Sequence, residues 1–249
     1  FIDKINSTKK HPALDCEVQK NVKFFKFEKL KEEINKKIDL IVIAVVSKGI
    51  EWASNEISKV LKSNVPILIL TKGLAINNNN YEVLAHKMER LLKKNGMKET
   101  NISAAGGPCL AKNLANKAHT AVVFANNDIK IAEKISKLVS TDYYHVSTTD
   151  DVVGVETCAA IKNIFSMAVG ASQGLCDAKQ SKEKNYLNTA AALMQESIYE
   201  MIIFVEKLKG KKETVIGLAG IGDLYVSADG GRNSKMGEYL GQGMKFKEA

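Results

Sequence analysis

"DLIVIAVVSKGIEWASNEISKVLKSNVPILILTKG" (residues 39–73) is the stretch on which the fold turns. Residues 39–46 are a continuous aliphatic, β-branched run, the pattern of a strand covered on both faces. Residues 52–62 space their apolar side chains at helical intervals, with the lone Trp52 expected in the core. Residues 65–71 then return to a second buried run, closed by Lys72-Gly73. Strand, helix, strand is the unit from which parallel sheets are built.

The same alternation continues outward. Residues 80–96 ("NYEVLAHKMERLLKKNG") predict a helix stopped by Asn95-Gly96, after the polar loop "NNNN" at 77–80. Residues 101–107 and 119–126 predict strands, and 128–139 a helix. The expected fold class is α/β, a Rossmann-type, mostly parallel doubly wound sheet. Near residue 150 the pattern changes. From 155 to 210 almost everything predicts helix, notably "VETCAAIKNIFSMAVGA" (155–171) and the apolar stretch 185–210. A glycine-rich segment, "TVIGLAGIGDLYVSADGGRN" (214–233), leads into the start of another helix. Two domains are therefore expected, 1–150 for the sheet and 151–249 for an all-α unit.

Composition narrows the class. The chain of 249 residues is 45% hydrophobic and 26% charged, as globular proteins are. Its net charge of +8 comes from scattered lysines, since only Arg90 and Arg232 are arginine. With no dense basic cluster and no interleaved aromatics, the charge does not point to nucleic acid. The four cysteines, Cys16, Cys109, Cys158 and Cys176, show neither CxxC pairing nor zinc spacing, so free thiols in a reducing cytoplasm are expected. His11, His86, His119 and His145 lack metal spacing, and no metal is expected. Lys162 interrupts the longest apolar run, so no membrane span is expected.

That lysine poses the functional question. Lys162-Asn163 sits among Ala, Ile, Phe and Met, where an ammonium either snorkels to water or becomes a general acid or base of lowered pKa. Lys72 directly follows a strand, the place where open α/β sheets bind ligands, although a loop lysine is commonly just solvated. "GGPC" (106–109) offers either backbone N–H groups to an anion or a simple tight turn. Asp223 precedes Gly230, Gly231, Arg232 and Asn233. In a chain so poor in arginine, a guanidinium beside Gly-Gly suits bidentate phosphate or carboxylate recognition, with a surface ion pair as the plainer reading.

Taken in order, "AVVS" (44–47), "TKGL" (71–74), "GPCLAK" (107–112), "GVETCAAIKN" (154–163), "AGIGDL" (219–224), "GGRN" (230–233) and "LGQG" (240–243) resemble the NAD(P)-dependent glycerol-3-phosphate dehydrogenases. The resemblance implies hydride transfer between sn-glycerol 3-phosphate and dihydroxyacetone phosphate with NAD or NADP, serving phospholipid synthesis. It implies Lys162 as proton acceptor and Lys72 as a lysine touching both cofactor and substrate. Gly107, Cys109, Asn163, Asp223, Gly231, Arg232 and Asn233 match substrate-site positions. Ala111 and Arg232 match positions on the cofactor side. Cys109 stands where the family usually has a hydroxyl, Leu110 where it has Phe, and Gly231 where many bacterial members have Ser.

The family opens with a strand and a GxGxxG turn, and no GxGxxG occurs in these residues. Residues 1–30 match the region that follows that first βαβ unit, and the family's last helices have no counterpart before Ala249. An incomplete chain is expected on both counts. A reductase of a small carboxylate and a non-catalytic relic of the fold are the alternatives. A homodimer is expected, with residues 185–210 supplying its face.

Overall fold

The computed structural model describes residues 1–14, 16–34, 37–61, 64–178 and 186–249. Five strands lie side by side in chain order: β1 (Ile41–Ile43), β2 (Ile67–Ile69), β3 (Ile102–Gly106), β4 (Thr120–Ala125) and β5 (Tyr144–Thr149). The pairs β1–β2, β2–β3 and β4–β5 are parallel, whereas β3 and β4 run antiparallel with Ala104 opposite Ala125. The sheet is thus mixed with a parallel majority. β5 was not expected from the sequence, although its exposed His145 and Ser147 alternate with half-buried Tyr144, Val146 and Thr148 as in a half-buried strand.

Helices α1 (Ile50–Val60) and α2 (Leu84–Lys94) cover one face of the sheet. Ile50, Ala53, Ile57, Met88 and Leu92 bury there against Ile43, Ile67 and Ile69. On the other face, α3 (Ile129–Val139) sets Ile135 against Leu68, Val122 and Phe124. Asp128 caps α3 by accepting the Lys130 N–H at 3.1 Å.

Three local expectations are corrected. β1 is shorter than 39–46 and is not covered on both faces: Val42 is 47% exposed, and α3 packs chiefly on β5 and β4. Trp52 is 48% exposed rather than core. The buried stripe of α1 runs through Ile50, Ala53, Ser54 and Ile57, and Trp52 points off it toward Phe27. Residues 80–83 are not the start of a helix. They pair with Leu74–Asn77 in a hairpin turned at Asn78-Asn79, whose positive φ values of 49° and 61° suit asparagine in a two-residue turn.

Beyond β5 the chain is helical: α4 (Val152–Ala178), α5 (Leu187–Lys207), a turn at Lys212–Val215, a π-helical turn at Leu218–Gly222, α6 (Asp223–Gly230) and α7 (Arg232–Gly241). Asn185, where the second long helix was expected to start, lies outside the described residues. α4 is shared by two cores. Val152 and Val155 belong to the sheet core, while Cys158, Ile161 and Phe165 pack with Met201, Val205, Val215 and Leu224. By length and apolarity α4 could cross a bilayer, yet 67% of its most apolar stretch is buried within the protein, as in a core helix. Its second half meets α7 backbone to backbone. A Cβ on Gly237 would lie 2.0 Å from the Met167 carbonyl oxygen, and one on Gly174 would lie 1.9 Å from that of Glu238. Only glycine permits that approach.

Candidate active site

Three charged groups from three elements converge. Lys162 lies ten residues into α4, about 15 Å along its axis at 1.5 Å per residue. Asp223 follows the π-helical turn and opens α6. Lys72 leaves the carboxyl end of β2, held there because the Thr71 hydroxyl donates to the Val45 carbonyl at 2.6 Å. Asp223, only 2% exposed, accepts from Lys162 Nζ on one oxygen and from Lys72 Nζ at 3.1 Å on the other.

Lys162 therefore does not snorkel, being 6% exposed. Burial holds its pKa down to about 8. Asp223 pulls it back up, and the charge on Lys72 adds to the lowering. The cluster carries one net positive charge, two ammonium groups on a single carboxylate. Such an arrangement can hold an anionic oxygen and exchange a proton near neutral pH.

Gly107 has φ +111°, a conformation open to glycine, and a Cβ there would meet the Val122 Cα at 3.1 Å. Gly107 and Cys109 line a cavity of about 240 Å³ with Leu70, Lys72 and Tyr144. Burial pushes the Cys109 thiol pKa up, against the pull of Lys72. A shallower groove of about 420 Å³ runs past Ala44–Ser47 and Leu70–Lys72 at the carboxyl ends of β1 and β2. Ala111 opens a short helix, Ala111–Ala115, and is exposed. Asn163 is exposed beside Lys162. Arg232 and Asn233 open α7, with Arg232 exposed and without an ion pair among the described residues. Gly231 is required by packing, since a Cβ would lie 2.2 Å from the Ser227 carbonyl oxygen. The structure thus joins Lys72, Lys162 and Asp223 directly, sets Gly107 and Cys109 beside Lys72, and places Arg232 and Asn233 on a neighbouring helix start.

Two buried carboxylates went unnoticed in the sequence. Asp151 precedes α4, and Glu156 lies in its first turns, 4% exposed. Glu156 accepts the Ala85 N–H at 2.8 Å on one oxygen and has no partner on the other among the described residues. Burial lifts its pKa to about 8. The argument that singled out Lys162, a charge inside an apolar helix, applies equally to "VETCAA" and would have found Glu156.

The groove lies at the carboxyl ends of β1 and β2, the place where open α/β sheets bind their ligands, and the half-exposed Lys72 sets a positive charge at its end. A sheet of nucleotide-binding type that brings a lysine to a buried lysine–aspartate pair on a helical unit fits the class of nicotinamide-dependent dehydrogenases. Within that class, the chain belongs to the NAD-dependent glycerol-3-phosphate dehydrogenase family. The family's N-terminal profile matches residues 1–132, and its C-terminal profile matches residues 151–249.

The chain is 30% identical, over all 249 residues, to the NADP(+)-dependent glycerol-3-phosphate dehydrogenase of Archaeoglobus fulgidus, and spans 72% of that protein. It is 33% identical to the glycerol-3-phosphate dehydrogenase [NAD(P)+] of Clostridium tetani, with 85% of this chain matched to 57% of that one. The crystal structure of glycerol-3-phosphate dehydrogenase from Coxiella burnetii superposes with a TM-score of 0.82 at 28% identity, over 99% of this chain and 71% of that chain.

Proposed function

We propose that this protein interconverts sn-glycerol 3-phosphate and dihydroxyacetone phosphate with NAD or NADP. The observation that carries the reading is the buried Lys162 of lowered pKa, bound to Asp223, which also binds Lys72. The nicotinamide, when bound, supplies or accepts the hydride at C2. In the ketone-reducing direction the Lys162 ammonium gives a proton to the C2 oxygen, and in the alcohol-oxidising direction the amine takes it back. Lys72, half exposed beside it, steadies negative charge on that oxygen. Asp223 keeps both amines aimed at one point. Lys72, Ala111 and Arg232 lie on the cofactor side. Gly107, Cys109, Asn163, Gly231, Arg232 and Asn233 line the substrate side, with Arg232 on the phosphate.

The same reading assigns residues 1–150 to the cofactor domain and 151–249 to the substrate domain. It places the protein in the cytoplasm, where it supplies glycerol 3-phosphate for phospholipids. It also makes the protein a homodimer through α5, whose outer face carries Tyr199, Ile203 and Phe204 in the open.

The test is NADH oxidation by the wild type and by Arg232→Lys, with dihydroxyacetone phosphate and with unphosphorylated dihydroxyacetone. The substitution keeps the charge and removes the bidentate fork. Loss of a charge-assisted hydrogen bond, about 1.5–3 kcal/mol, lowers kcat/KM for the phosphorylated ketone roughly 10–150-fold and much less for dihydroxyacetone. An equal proportional loss for both ketones removes the phosphate assignment. Turnover of a small keto acid in place of the phosphorylated ketone favours the carboxylate alternative.

A further inference from the structure

Lys162 and Asp223 are separated by 61 residues, and their hydrogen bond requires α4 and the 211–223 segment to be in register. One side chain bridges the two. Asp151 is 5% exposed and sits just before α4. Its Oδ1 accepts the Gly154 N–H at 2.8 Å, capping the helix that carries Lys162. Its Oδ2 accepts the Lys211 N–H at 2.9 Å and the Thr214 hydroxyl at 2.6 Å. The contact is close enough to require glycine on both sides. A Cβ on Gly154 would lie 1.9 Å from Asp151 Oδ2, and one on Gly210 would lie 2.8 Å from the Gly154 nitrogen.

From Thr214 the path to Asp223 is short and packed. Val215 is fully buried against the Cys158–Ile161 face of α4. The π-helical turn rests on it so tightly that a Cβ on Gly220 would lie 1.9 Å from the Val215 carbonyl oxygen. Ala219 of that turn and Val155 of α4 both abut Gly106 at the end of β3. Asp223 is the next residue after the turn. The neighbouring Asp150–Lys211 ion pair is exposed and contributes little by comparison.

We infer that Asp151 is a positioning residue: one carboxylate caps the Lys162 helix and grips the segment that delivers Asp223, setting the geometry of the lysine–aspartate pair. The inference rests on the reaction proposed above.

Asp151→Asn keeps the cap but leaves the Lys211 N–H without its acceptor. Thr214→Val removes the hydroxyl donor, and Thr214→Ser restores it. Measured on the full chain, Asp151→Asn lowers kcat for dihydroxyacetone phosphate about 10–100-fold, the scale set by misplacing reacting groups by about 1 Å, with KM for NADH within about twofold. Thr214→Val lowers kcat less, Thr214→Ser stays near wild type, and the alkaline limb of the pH profile moves in the first two. Amide hydrogen exchange over residues 215–223 quickens in both defective variants while the strands β1–β3 keep their protection. Folded Asp151→Asn and Thr214→Val with wild-type kcat, pH profile and exchange overturn the inference. So does a loss of melting temperature with uniform exchange and unchanged kcat per folded molecule. Should Asp151→Asn fail to fold, the Thr214 pair decides alone. Should the wild type fail to reduce dihydroxyacetone phosphate, the reaction assignment falls, and the exchange measurement still decides whether Asp151 holds the segment.

Discussion

The two halves of α4 are fixed by opposite means. From Asp151 to Lys162 the helix is held through buried polar groups: Asp151 to Gly154, Lys211 and Thr214, Glu156 to Ala85, and Lys162 to Asp223. From Met167 onward it is held by the absence of side chains, with Gly170, Gly174, Gly237 and Gly241 letting two backbones touch. Hydrogen bonds are directional, so the first half fixes where atoms point. Glycine contacts set only a separation, so the second half fixes how far apart two rods lie. Chemistry needs the former, and the helical core needs the latter.

The sharpest way to break that contrast is Lys162→Met, which keeps most of the packing and removes the ammonium. General acid–base groups contribute about 10²–10⁴-fold, and kcat falls by that factor while the protein stays folded. Near-normal turnover by a folded Lys162→Met enzyme ends the assignment. The wild type carries a companion signature. Lys162 faces Asp223 and Lys72, and its pKa is lowered to about 8. Ketone reduction needs the ammonium, so its kcat declines above about pH 8. Alcohol oxidation needs the free amine, so its kcat rises toward the same pH and then levels.

Gly237→Ala tests the other half. Its Cβ has no room beside Met167, so overpacking costs about 1–3 kcal/mol, seen as a lower melting temperature. Because α7 also carries Arg232 and Asn233 at its start, turnover per folded molecule falls, but by less than in Lys162→Met. A loss of kcat as large as that of Lys162→Met erases the distinction between the halves.

The smallest effect on turnover belongs to Glu156→Gln, which keeps an acceptor for the Ala85 N–H. The Glu156 carboxyl titrates at 4.5 when unfolded and at about 8 when folded, so between those values the folded state holds the extra proton. Its contribution to stability is therefore full below pH 4.5 and is lost as pH rises to about 8. Glutamine cannot ionise, so the gain in melting temperature of Glu156→Gln over the wild type grows as pH rises across that window. Parallel pH curves for the two proteins rule out the lifted pKa.

Much of this was legible in one dimension, and the misses have identifiable causes. Continuous aliphatic runs at 41–43 and 67–69 and helical spacing at 50–60 and 129–139 fix local structure because each side chain's surroundings follow from its neighbours in sequence. The hairpin at 74–83 was hidden because "NNNN" looks like any polar loop until φ at Asn78 and Asn79 is known. β5 carried the period-2 alternation of a half-buried strand and was missed because it is short and follows a helix without a glycine or proline stop. Trp52 misled because size alone suggests a core residue, while its angular place on α1 turns it outward.

At the site, the sequence by itself singled out Lys162 as a charge in the wrong surroundings, Lys72 as a charge at a strand end, and Arg232 as a rare guanidinium. Those are properties of residue type and local pattern. What only the tertiary structure decided is that Lys162 and Lys72 share Asp223, and that Asp151 and Glu156 tie the 211–214 segment and the start of α2 to the first turns of α4. Those partners lie 60 to 151 residues apart. A buried charge is tolerated only when a partner is delivered to it, and which partner arrives is settled by how sheet and helices pack, not by anything adjacent in the chain.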